Sequence, residues 1–112
     1  MIVFDKLKRG ALSPPLEGFV DFGDGRDLSD LATATVKMAD ENGAAIIDSP
    51  LEIIDASTNE VRYQWVNGDT DSVGNNWLEM WFTFNSGDFF KIPPGDEYIN
   101  ILIPSDLPLT PE

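Results

Sequence analysis

The 112-residue chain has no cysteine, no histidine, only seven lysines and arginines, and no apolar stretch of membrane-spanning length. Without cysteine there is neither a disulfide framework nor thiol chemistry. Without histidine the usual general base and the commonest metal ligand are missing. Twenty acidic side chains stand against the seven basic ones, for a net charge of −13. A surface that negative repels phosphate backbones and anionic lipid heads, so roles on nucleic acid or on a membrane are not expected. The opening Met1-Ile2-Val3-Phe4 meets Asp5 at once, far short of a signal-peptide core, and the expectation is a soluble protein made in a cytoplasm.

What the chain does have is material for a core. Its length suits one domain, and 42% hydrophobic residues with seven Phe, two Tyr and three Trp argue against global disorder. The apolar pattern is strand-like almost throughout. Phe19-Val20-Asp21-Phe22 ends at Gly23-Asp24-Gly25, a turn signal. Ala34, Val36 and Met38 alternate as one buried face, and Asp40-Glu41-Asn42-Gly43 reads as the hairpin turn into Ala45-Ile46-Ile47. Leu51–Ala56 and Glu60–Trp65 form the next pair across Ser57-Thr58-Asn59, with Val61, Tyr63 and Trp65 on one face. Trp77–Phe84, Phe89–Ile92 and Tyr98–Ile103 complete the series, and Leu28–Ala32 reads as at most one helical turn. About eight short strands at turn spacings of roughly 8–12 residues predict an all-β sandwich.

The flanks differ from this body. Residues 1–15 read as an extended arm. They hold Lys6, Lys8 and Arg9, whereas from Gly10 onward four basic residues face 19 acidic ones, a balance of −15. The arm reads either as a strand edge guarded by lysines or as a cationic segment that docks on the acidic body of a neighbouring copy. Residues 16–103 are the sandwich. Residues 104–112 carry three prolines without a strand period; Leu107 and Leu109 there either fray with the terminus or fill pockets on an adjoining subunit.

Three sets of residues together carry a family likeness. The first is Lys8-Arg9-Gly10 with Pro14-Pro15-Leu16-Glu17-Gly18. The second is Asp27-Leu28, Ala34-Thr35-Val36-Lys37-Met38 and Asp40-Glu41-Asn42-Gly43. The third and most specific is Val61-Arg62-Tyr63-Gln64-Trp65 followed by Gly68-Asp69-Thr70-Asp71-Ser72-Val73-Gly74 and Glu79. With Phe90–Pro93 and Tyr98-Ile99, the chain from about residue 8 to 103 resembles the N-terminal domain of tailed-bacteriophage baseplate upper proteins. That resemblance implies an immunoglobulin-like antiparallel β-sandwich of about seven to nine strands in a virion structural protein. It also implies that Gly68, Asp69, Thr70, Asp71 and Gly74 form a structural turn closed by side-chain to backbone hydrogen bonds. The family continues into Gly-Thr-Tyr-x-Ala-Glu, whereas this chain has Gly74-Asn75-Asn76-Trp77-Leu78-Glu79. Asn76 therefore stands at the usual tyrosine, which puts a tyrosine-corner hydrogen bond in doubt.

If Asn76, Leu78, Met80, Phe82 and Phe84 face the core, then Trp77, Glu79, Trp81 and Thr83 face outward. Outward tryptophans suit an interface, and they are covered either within the molecule or by a partner. Asp21, Asp24, Asp27 and Asp30 recur every three residues beside glycines. They read as Asx turns rather than calcium ligands, because the EF-hand series with its terminal Glu is absent. Carboxylate pairs alone do not define a glycosidase among so many acids, so no enzyme and no cofactor are expected. The expected function is an assembly module of a phage virion, on the tail-baseplate or as an accessory on the capsid or neck. Its expected partners are other virion proteins and possibly its own copies, in many copies, after synthesis in the host bacterial cytoplasm. The alternative is a carbohydrate or host-receptor module with Trp77 and Trp81 as a stacking platform.

Overall fold

Alternation is strongest from Gly74 to Phe84, and in the computed structural model, which describes residues 2–105, this stretch is the central strand β7 (Gly74–Phe84). Asn76, Leu78, Met80, Phe82 and Phe84 all point inward and are buried, as the alternation predicts. Strand β3 (Leu31–Ala39) runs antiparallel along one side of β7, with Val36 opposite Met80 and Lys37 opposite Glu79. Its hairpin partner β4 (Ala45–Pro50) closes that edge of the sheet. The hairpin turn forms as expected: Asp40 Oδ1 accepts the Asn42 and Ala44 N–H groups, and Gly43 takes a positive φ of 84°.

The other side of β7 is divided between two strands. Its first half pairs with β9 (Ile99–Ile103) and its second half with β8 (Phe89–Ile92). Beyond β9 lies β1 (Ile2–Phe4), which runs parallel to it with Val3 opposite Asn100. The second sheet is smaller, with β2 (Leu16–Phe19) and β5 (Glu52–Asp55) flanking β6 (Glu60–Tyr63). After Pro50 the chain crosses between sheets, and Leu51 is buried at that step.

The result is all-β, nine strands in two sheets that form a sandwich, with no helix among the described residues. Val36, Met38, Leu78, Phe82 and Ile101 from the large sheet pack with Val61, Tyr63 and Trp65 in one core. Phe22 joins it through edge-on contacts with Phe82, Phe84 and Phe90, at centroid distances of 5.1, 5.4 and 5.1 Å.

Leu28–Ala32 makes no more than the single turn expected of it: Leu31 N–H reaches back to Leu28 C=O at 3.2 Å, and β3 begins at Leu31. Two expectations need correction. The β1–β9 pair is parallel, so the sandwich is not wholly antiparallel. The short strand expected at Phe19–Phe22 lies earlier, at Leu16–Phe19, because Asp21 Oδ1 accepts the Gly23 N–H and bends the chain away.

Residues 2–15 lie against the sandwich. Leu7 is buried in the core although charges surround it in sequence. Gly10 N–H donates to Thr70 C=O, Thr70 Oγ1 to Ala11 C=O and Trp65 Nε1 to Pro14 C=O. The segment is stitched to its own sandwich.

Candidate functional site

The outward side chains of β7 and its neighbours make a two-part aromatic surface. At one part, Trp81 is half-buried between two lysines. Lys37 Nζ lies 4.7 Å and Lys91 Nζ 4.6 Å from its ring centroid. The register explains this: Lys91 is directly opposite Trp81, and Lys37 is two residues along β3 from Trp81's partner Thr35. Phe89 meets the indole edge-on at 5.6 Å, and the indole N–H donates to Glu79 Oε1 at 2.6 Å. Lys37 also pairs with Asp48 at 2.9 Å. Trp81 is thus an indole whose cations come from its own chain.

At the other part, Trp77 is half-buried beside Tyr98, with ring centroids 6.3 Å apart. These two rings line an open groove of about 820 Å³. Among the described residues six carboxylates line it as well, Asp40, Glu41, Asp48, Glu79, Asp96 and Glu97, against Lys37 as the one basic side chain. Several accept hydrogen bonds from neutral donors. Glu41 Oε1 accepts the Asn75 N–H and Nδ2, at 2.7 and 3.0 Å, while Asp40 binds the hairpin turn. Among the described residues the cations that stand over aromatic rings stand over Trp81, Phe84 and Phe90, and none over Trp77.

Trp77, Glu79 and Trp81 therefore share one outer face, as the alternation predicts. The covering of Trp81 is by sheet neighbours, which single-strand periodicity did not reveal. The groove went unread in the sequence because its acids come from a hairpin, a neighbouring strand and the loop before β9. Lys6, Lys8 and Arg9 are exposed, but none of them lines the groove. Leu107 and Leu109 lie outside the described residues.

The predicted turn has a definite structure. Asp69 is buried and Oδ2 accepts two hydrogen bonds, from the Tyr63 hydroxyl at 2.7 Å and from Val66 N–H at 2.9 Å. Burial and the Asp69 carboxylate push the Tyr63 phenol well above its ordinary pKa. Gly68 and Gly74 take positive φ of 96° and 101°. Thr70 ties the turn to Ala11, and Asp71 Oδ1 lies close over Gly10. Asn76 is wholly buried and donates to Ser72 C=O at 2.9 Å and Ile101 C=O at 3.1 Å. A phenol-to-loop hydrogen bond comes from Tyr63 of β6.

In the aspartate series from 21 to 30, Asp21, Asp24 and Asp27 close local turns, whereas Asp30 accepts from Asn85 Nδ2 at 3.3 Å. Asp24 binds Arg26 and is held below the usual carboxylate range by it, and Asp27 is lowered by Ser29. Arg26 reaches across to Asp88 at 3.1 Å and lies over Phe84 and Phe90. Sequence reading missed Asn59, which takes a φ of 62° and donates through Nδ2 to both Val20 C=O and Arg26 C=O. An asparagine closing a strand-to-strand turn is the signal that could have marked it. No His, Cys, Asp or Glu group suited to a metal ion is found among the described residues. Compared with known proteins, the chain matches no family model and no curated protein.

Proposed function

We propose that the protein is a non-enzymatic structural module of a tailed-phage virion, an immunoglobulin-like adaptor on the tail-baseplate or an accessory on the capsid or neck. The observation that carries the reading is the outer face of the large sheet. Trp77, Glu79 and Trp81 form a rigid aromatic and acidic surface on a strand hydrogen-bonded on both sides. Rigid aromatics lose little entropy on contact, which suits a docking surface. The resemblance around Tyr63, Trp65 and Gly68–Gly74 supplies the virion context. The −13 charge limits nonspecific adhesion.

The test is incorporation into particles. Trp77→Ala and Glu79→Lys variants that fold normally are expected to be depleted from purified virions, while Glu17→Lys on the opposite sheet is retained. Equal incorporation of all three would overturn the role of this face. A second reading is a glycan-binding module, favoured by the Trp77–Tyr98 pair in its open groove. Lys37 and Lys91 occupy Trp81, so sugar stacking would rest on Trp77. Glycan binding that is lost in Trp77→Ala, with virion incorporation unchanged, would favour this second reading.

A further inference from the structure

We infer that the groove beside Trp77 takes an extended, lysine- or arginine-bearing segment of an unlike protein, with one cationic side chain stacked on the Trp77 indole. The inference rests on the assembly reading, for which it specifies the partner's chemistry. Two independent observations converge on it. The first is charge: among the described residues, six carboxylates against one lysine line a single concavity of about 820 Å³. The second is the internal precedent four residues along the same strand. Trp81 sits among Glu79 and Asp48 with Lys37 and Lys91 over its ring. Trp77 has the same outward position, the same strand and more carboxylates, and no cation of the described chain stands over it. The surface repeats an arrangement in which indole and carboxylates together hold a cation, and leaves the cation to be supplied from outside.

A segment is favoured over a small cation because the groove is long and open. Its acids are spread from Asp48 on β4 to Asp96 before β9, so a chain with several positive charges can meet more of them at once. An unlike protein is favoured over a second copy. Two copies each carrying −13 repel, and Lys6, Lys8 and Arg9, although exposed, sit on a segment held to its own sandwich at Leu7 and Gly10 and so cannot lie along a neighbour's groove as an extended chain.

The experiment uses the full chain and a synthetic heptapeptide of alternating lysine and glycine with blocked termini, followed by calorimetry and indole fluorescence at low and physiological salt. Binding is expected, weakening as salt rises. Trp77→Ala should weaken it about 2- to 30-fold and Trp77→Phe by less, the range for one cation–π contact. Asp96→Asn should weaken it, and Glu17→Gln, an equal charge change on the other sheet, should not. Urea midpoints of all variants confirm that they are folded. Equal weakening by Glu17→Gln with no effect of Trp77→Ala would mean bulk attraction only and overturn the inference. So would absence of peptide binding, or a self-association abolished by Lys6→Glu with Lys8→Glu. Trp77-dependent peptide binding in a protein that virions do not incorporate would leave this inference standing and remove the assembly reading.

Discussion

Replacing Asp69 with alanine removes the acceptor of two hydrogen bonds at once. The Tyr63 hydroxyl and the Val66 N–H both end on Oδ2, and Asp69 and Tyr63 are buried, so water does not simply take its place. A hydrogen bond to a charged acceptor is worth about 1.5–3 kcal/mol, which puts the loss at about 3–6 kcal/mol for the pair. For a chain of this length, at about 2.1 cal/mol/K per residue, that lowers Tm by roughly 13–26 °C. Tyr63→Phe removes one of these bonds and should cost about 1.5–3 kcal/mol. In the double variant the phenol is no longer left unpaired, so the two losses should overlap by about 1 kcal/mol or more. Urea unfolding of the four proteins, read as a shift in midpoint at constant slope, measures all three quantities. A loss below about 1 kcal/mol in Asp69→Ala, or additivity within about 0.3 kcal/mol, would refute the role assigned to this carboxylate.

The same phenol predicts an alkaline effect. Its pKa is raised on folding, so its contribution is intact below the ordinary value of 10.0 and declines as pH climbs above it, because the unfolded chain gives up the proton first. The slope should reach about 1.4 kcal/mol per pH unit and be missing in Tyr63→Phe, as urea midpoints from pH 9 upward would show. Gly74→Ala should cost about 1–2 kcal/mol through its φ of 101°. A Cβ there would also stand 2.6 Å from Glu41 Oε1. That carboxylate can swing aside, so most of the cost should persist in a Glu41→Ala background; full rescue would assign it to the clash instead. Trp81→Ala should destabilise by about 1–2 kcal/mol more than Trp77→Ala, since it forfeits two cation–π contacts and an edge-on phenylalanine. Equal urea midpoints would contradict that ranking.

The sequence was most informative where one strand has one dry face. Asn76 to Phe84 alternate without a break, and the Asp40–Gly43 turn fixes the neighbouring hairpin, so the centre of the large sheet could be read directly. Val61, Tyr63 and Trp65 gave the facing layer in the same way. Leu7 was illegible because Lys6, Lys8 and Arg9 surround it, and nothing local shows that Thr70 and Trp65 hold its segment down. The candidate site was legible only as an orientation. That Trp77 and Trp81 point outward follows from a period of two. That lysines cover one and carboxylates surround the other follows from pairing between strands distant in sequence, which no single segment encodes.

The parallel pairing of β1 with β9 determines how the domain bears mechanical load. Tension applied through the residues flanking Ile2 and Ile103 pulls the N-terminal end of β1 and the C-terminal end of β9 in opposite directions along the strand axis. The bonds joining Ile2, Val3 and Phe4 to Ile99, Asn100 and Ile101 are then loaded together, in shear, rather than opened one after another as at the end of a hairpin. The first and last strands thus act as a clasp, and the sandwich resists stretching along its chain more than its short edge strand alone would suggest.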